Sequence, residues 1–323
     1  MPRSRRGGSP WTGLGAVVAK ETADHLSSIR IVVIEALIFL IALVLAWLST
    51  TAIRDTIGES PFLFLRLLTL TPDPIPFSFV DMVGLVTPVI AITLGFDAIN
   101  GEFNQRTLSR ILAQPIYRDA LLLGKFLARL LSLTIALVSL WLLVLGLGLV
   151  RLGVPPTLEE LVRMLGYLIG TIAYGGVWLA LALMFSVRFR SPATAALATL
   201  GLWLVFVLFW SVMIAPLAAT LISGPREGMF GPNLAFINTD QLINRLSPNT
   251  LYAETARALL HPETRVLGIV FVTLSEAQSM IGAPLPMLQS FLLIWPQLTG
   301  LIAGMIVIFA IAYILFQRQE IRA

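Results

Sequence analysis

Six stretches of this chain are each long and apolar enough to cross a bilayer, and the fifth, 191–222, carries no charged residue at all. A hydrocarbon layer about 30 Å thick takes roughly 20 helical residues at about 1.5 Å each. No water reaches the backbone there, so every N–H and C=O of a crossing segment must pair inside it, and the helix does this within one segment. The stretches run over about 31–53, 81–99, 126–150, 164–187, 191–222 and 287–316. The last two are longer than a bilayer requires, so they must tilt or bend, with Pro216 and Pro296 as the candidate bend points. The expected fold class is therefore all-α, a polytopic membrane protein with six transmembrane helices.

Composition excludes the main alternatives. Of 323 residues, 57% are hydrophobic and 12% charged, with a mean hydropathy of +0.88; a soluble domain of this size needs more polar surface to cover its core. The net charge of +4 does not point to nucleic acid, because the basic residues sit between apolar runs and not along one face. With no Cys and only two His, a disulfide framework, a thiolate nucleophile and a zinc cluster are not expected, and no metal or catalytic residue is assigned. The basic head, 2–10, lacks the apolar core of a removed signal peptide and is expected to stay attached. Most of the 22 Lys and Arg fall in the head and in the connections on the same side, which places both termini in the cytoplasm of a multi-pass protein of the cell membrane.

Two regions divide the chain: 1–30, the basic head and an interfacial helix, and 31–323, a single transmembrane domain. Leu14, Val17, Val18, Leu26 and Ile29 lie on one side of that interfacial helix, and Lys20, Asp24 and Arg30 on the other. The connection between the first two spans has a short apolar run, 61–70, then Pro72, Pro74 and Pro76. Between spans five and six lies a large outer segment, 223–286, in which 249–260 reads as a helix and 266–274 as too short to cross. Gly166 and Gly170 in span four, and Gly300 and Gly304 in span six, permit close packing, with contacts inside the chain favoured.

The loop between spans two and three carries the most information. Leu108, Ile111 and Leu112 recur at i, i+3, i+4, Arg106 and Arg110 share another face, and Pro115 stops the helix. Such a stub plugs a partner's groove or lies on the bilayer with its arginines at lipid phosphates, and periodicity does not choose. Glu102 either pairs with a basic residue of the interfacial helix or of this stub, or sits solvated at the interface. Thr87, Thr93 and Asp97 give span two its polar residues; Asp97 either makes a capping or snorkelling interaction near the membrane edge or, with Thr93, is a candidate for a substrate pathway.

The run Gly101-Glu102, Thr107-Leu108, Leu112, Pro115, Arg118 and Leu123-Gly124-Lys125-Phe126 resembles the cytoplasmic loop of type-2, exporter-class permeases of ATP-binding-cassette (ABC) transporters. Ala19-Lys20-Glu21 is similar to that family's N-terminal elbow helix, and the six-span layout agrees. The specific part of the resemblance covers about 25 residues. One departure is visible: Arg106 stands where a Gly commonly precedes the Thr-Leu pair. Within the class the chain looks most like the permeases of nitrous-oxide-reductase maturation and gliding. The resemblance implies a homodimer in the bilayer and separate cytosolic ATPase subunits that receive the 104–114 stub as a coupling helix. Glu102, Arg106, Thr107, Leu108, Arg110, Ile111, Leu112, Pro115 and Arg118 would serve that coupling, and Lys20 and Glu21 the elbow. ATP and Mg²⁺ would be bound by the partners alone, since Gly124-Lys125 is followed by Phe126 and no phosphate-binding loop is present. An ion-coupled carrier or a structural subunit of a membrane complex is the alternative function.

Overall fold

The computed structural model describes residues 13–55, 62–104, 118–228, 231–262 and 286–318. Among them are six helices long and apolar enough to cross a membrane, in the places the apolar runs predict. The predicted stub at 104–114, apart from Asn104, the stretch 266–274 and the basic head lie outside the described residues.

Helix α1, Leu14–Leu26, starts after Gly13, whose φ of 89° suits glycine, and ends where the Ser27 hydroxyl donates to the Ala23 carbonyl at 2.8 Å. The first span, α2, is Ile29–Asp55. Helix α3, Leu63–Thr69, then tucks back against the bundle. Glu160 explains why it can: its Oε1 accepts the Phe64 N–H at 2.8 Å, while Oε2 accepts the Thr157 N–H and hydroxyl at the start of span four. One buried carboxylate thus satisfies free N–H groups at two helix starts.

The second span, α4, is Phe79–Gly95, opened by a reciprocal Ser78–Asp81 capping box. It runs through Pro88 without a break and stops at Gly95, because residues 96–99 form a turn before α5, Asn100–Asn104. Ser186 secures the turn by accepting the N–H groups of Ile99 and Asn100 at 3.0 and 3.3 Å. Span three, α6, is Arg118–Leu152, and span four, α7, is Leu158–Arg188. Buried on most of its faces, α7 is the core of the bundle. Its glycines make room for neighbours: a Cβ on Gly166 would meet Phe291 at 2.8 Å, and one on Gly170 would meet Thr255 at 2.9 Å, both in the same chain. A Cβ on Gly300 would meet Leu251 at 3.2 Å, whereas the space beside Gly304 is open.

Span five is one rod in three parts: α8, Pro192–Leu204; a π-helical segment, Val205–Ile214; and α9, Ala215–Ser223. The irregularity lies ahead of Pro216, the expected bend. Pro216 has no N–H for the carbonyl four residues back, and the ladder before it has already widened, with the Ala215 N–H donating to the Trp210 carbonyl. Beyond Gly224 the chain pairs Glu227–Gly228 with Gly231–Pro232, two residues a side. The sixth span, α12, is Met287–Arg318 with Pro296 inside it.

The stretch between spans five and six departs most from expectation. Reading it as an outer segment missed helix α10, Leu234–Asn244, which precedes α11, Pro248–Leu260. Helix α10 runs back down along span five: Thr239 meets Ser223 at 2.6 Å, and the Trp210 indole donates to the Ile243 carbonyl at 3.2 Å. Helix α11 returns along α7, with Asn249 accepting from the Tyr174 hydroxyl at 2.7 Å and the Leu259 carbonyl accepting from Arg163. Tyr174 is near the middle of α7, so the turn between α10 and α11 lies level with the middle of a span. The hairpin descends and returns without crossing. At the tip it keeps its charges paired: Glu254, 3% exposed, accepts from Arg245 at 3.0 Å and from Gln297 at 2.8 Å.

Candidate functional site

Both described ends of the chain meet the same end of α6. On one side α1 packs along α6, and Gly124 allows the approach, since a Cβ there would stand 2.8 Å from Val17. On the other, Tyr313 and Gln317 near the end of α12 donate to the Asp119 carboxylate. This face of the bundle, called the terminal face below, holds a buried cluster of charges.

Lys125 and Arg129, four residues apart on α6, point the same way and are almost wholly buried, with side chains 2% and 4% exposed. Two cations inside an apolar helix require counter-charges. Glu21 of α1 provides one, with Oε1 3.0 Å from Lys125 Nζ and Oε2 3.3 Å from an Arg129 terminal nitrogen. Glu102 of α5 provides the other, 2.5 Å from Lys125. Arg129 also donates to backbone, giving Nε–H to the Leu94 carbonyl at 2.7 Å and another N–H to the Lys125 carbonyl at 3.2 Å. Four helices, α1, α4, α5 and α6, therefore meet in one hydrogen-bonded knot.

The electrostatics follow from this geometry. Burial raises the Glu21 pKa, but Lys125 and Arg129 outweigh it, so the carboxyl lies below its ordinary value. His25, one turn further along α1, is pushed down to about 4 by burial first and by Arg129 second, and its Nε2 is buried with no hydrogen-bond partner, as suits a neutral ring. Lys20 faces outward, 70% exposed, and its hydrogen bond to Asp24 raises its pKa.

Of the residues predicted from sequence, Glu21 and Glu102 come together in the knot, and Lys20 does not. Glu102 meets Lys125 of span three. Asp97 stands in the turn after α4 and forms an ion pair with Arg30 at 3.2 Å. Thr93 donates its hydroxyl to the Val89 carbonyl at 2.8 Å. Arg106, Thr107, Leu108, Arg110, Ile111, Leu112 and Pro115 lie outside the described residues, and Arg118 is the first residue of α6. Sequence reasoning gave no role to Arg129, although two bases four residues apart at the entry of an apolar helix signal a waiting carboxylate.

The knot closes the two stems of the loop 105–117. Helix α5 leads into that loop and α6 leads out of it, and the Glu102–Lys125 contact clamps them together. The described residues thus give six helices long and apolar enough to cross a membrane, with α1 lying against their terminal face and a clamp joining α5 to α6.

Comparison with known proteins agrees. The model of the ABC-2 family transporter proteins matches residues 15–321, and the chain belongs to that family. It is a transmembrane permease subunit of an ABC transporter. Two relatives carry the description "probable ABC transporter permease protein NosY". The one from Pseudomonas aeruginosa is 33% identical over 230 residues, covering 69% of this chain and 74% of its own length. That from Stutzerimonas stutzeri is 30% identical over 227 residues, covering 68% and 73%.

Proposed function

We propose that two copies of this chain form the membrane part of an exporter-class ABC transporter and that two cytosolic ATPase subunits dock beneath the terminal face. The Glu21–Lys125–Glu102 bridge carries this reading, because it joins α1 to both stems of the loop that would meet the ATPase. The loop acts as the coupling helix: Leu108, Ile111 and Leu112 enter a groove on the ATPase, and Arg106 and Arg110 meet acceptors at its rim. Thr107, Pro115 and Arg118 set where the helix begins and ends. ATP and Mg²⁺ are bound by the ATPase subunits alone.

In this arrangement a push on the loop is not absorbed locally. Helices α5 and α6 move as one piece, and α1 moves with them, because separating them strands Lys125 or Arg129 in an apolar surrounding. The terminal face is cytoplasmic, consistent with its basic residues, in the inner membrane of a bacterium. Asp97 pairs with Arg30 at this junction, and with Thr93 it remains the candidate for a substrate pathway at span two. The test is Leu108→Asp and Ile111→Asp in the full chain. Each is expected to leave membrane insertion intact and to abolish co-purification of the ATPase; undiminished co-purification with both variants contradicts the coupling assignment.

A further inference from the structure

Between the re-entrant hairpin and the π-helical segment lies a cavity of about 310 Å³. Phe206, Val207 and Ser211 form one wall, and Asp240, Asn244 and Arg257 contribute to the other. A second cavity of about 350 Å³ adjoins it, sharing Val207, Asn249, Ala253 and Arg257, and reaches Tyr174 and Tyr252. Polar walls beside a transmembrane rod are costly in an apolar setting and mark a site unless their groups are satisfied internally.

Two of these groups are not satisfied. Asn244, 7% exposed, gives its amide N–H to the Asp240 backbone carbonyl at 3.0 Å, but its Oδ1 is buried with no donor. The Oδ1 of Asp240, one turn back along α10, is also buried with no donor. Nearby charges leave that vacancy open. Glu254 is held by Arg245 and Gln297, and Arg226 acts on Asp240 electrostatically without reaching Oδ1. Two adjacent acceptors, one anionic, call for a ligand with several N–H donors and a positive charge. On the facing helix Arg257 offers a guanidinium to both cavities. The site is thus dipolar, acceptors on α10 and a cation on α11.

The surroundings indicate what carries such a dipole. Phe206 and Val207 present an apolar wall, and the same π-helical segment exposes Leu208, Phe209 and Val212 at 54%, 46% and 79%. An apolar chain leaving the cavity can lie along them. We propose that the cavity binds the zwitterionic headgroup of a membrane lipid bearing a primary ammonium group, with the ammonium on Asp240 and Asn244, the phosphate on Arg257 and the acyl chains along the π-helical segment.

The test is native mass spectrometry of the full chain exchanged into phosphatidylethanolamine, phosphatidylcholine or phosphatidylglycerol. Retention of phosphatidylethanolamine is expected to exceed that of the other two by about tenfold, the value of one charge-assisted hydrogen bond, because choline has no N–H and glycerol no positive charge. Asp240→Asn, which keeps side-chain size, should erase that preference, whereas Arg257→Gln should weaken retention of all three lipids alike, since each carries the phosphate, with the melting temperature unchanged in both. Equal retention of the three lipids, or a preference that survives Asp240→Asn, overturns the proposal and leaves water as the occupant. Soluble phosphoethanolamine binding as tightly as the lipid overturns the assignment to a lipid and favours a free zwitterion.

Discussion

Glu21 reaches from α1 to Lys125 at 3.0 Å and to Arg129 at 3.3 Å, so a helix outside the bundle supplies the counter-charge for two cations buried inside it. Helix α1 is not merely resting on the bundle. Its release leaves Arg129 without a carboxylate in a surrounding where an unpaired charge is costly.

Removing that carboxylate should therefore act on the whole fold. Glu21→Ala is expected to lower the unfolding free energy by about 3 kcal/mol, the usual cost of stranding one partner of a buried pair. Glu102→Ala should cost less, because Lys125 keeps Glu21. Thermal unfolding of the purified variants in mild detergent measures both.

The approach of α1 to α6 depends on Gly124. A Cβ there would stand 2.8 Å from a Val17 methyl and 3.1 Å from its Cβ. Gly124→Ala should destabilise by roughly 1–3 kcal/mol through overpacking. Val17→Ala in the same chain should recover much of the loss, and the coupling energy from the double-mutant cycle measures the contact itself.

Crossing of α4 and α7 is tighter still. A Cβ on Gly95 would lie 2.6 Å from the Cβ of Ala182 and 3.2 Å from the Leu179 carbonyl oxygen, neither of which can swing aside. Gly95→Ala should consequently be more damaging than Gly124→Ala, and membrane yield with melting temperature reports it.

His25 gives the terminal face a pH dependence with a definite sign. Its pKa is about 4 in the folded chain against an ordinary 6.5, so between these values the undocked helix binds a proton that the docked one does not. The docking of α1 should therefore weaken as pH falls from 6.5 to 4, and not further on this account. Glu21, with its pKa lowered from 4.5, adds its own loss as pH falls from that ordinary value toward the lowered one. Limited proteolysis of α1 across this interval should show the slope, and His25→Gln should flatten it.

The six spans were legible because each is a long apolar run whose length alone decides its fate. Their ends were less so: α6 begins at Arg118, ahead of the first apolar stretch, because Asp119, Lys125 and Arg129 all find partners inside the protein and charge no longer marks a boundary. The same cause hid the hairpin. Arg245 and Glu254 break the apolar pattern of the segment, yet they neutralise one another with Gln297 at the level of mid-span. Helix α10, with Asn233 accepting the N–H groups of Ala235 and Phe236, had a cap signal that pattern reading passed over. At the candidate site Glu102 was legible as an acid beside a loop, but its partner was not, since Lys125 and Glu102 lie 23 residues apart and meet only through the packing of α5 on α6.

The most direct measurement is to purify the tagged full chain from its native host in mild detergent and to identify and quantify what accompanies it by mass spectrometry, with ATP hydrolysis assayed on the same sample. The account predicts an ATPase subunit in equal amount and hydrolysis that disappears when Leu108→Asp removes that subunit. A chain that purifies alone, or with membrane subunits and no ATPase, contradicts it.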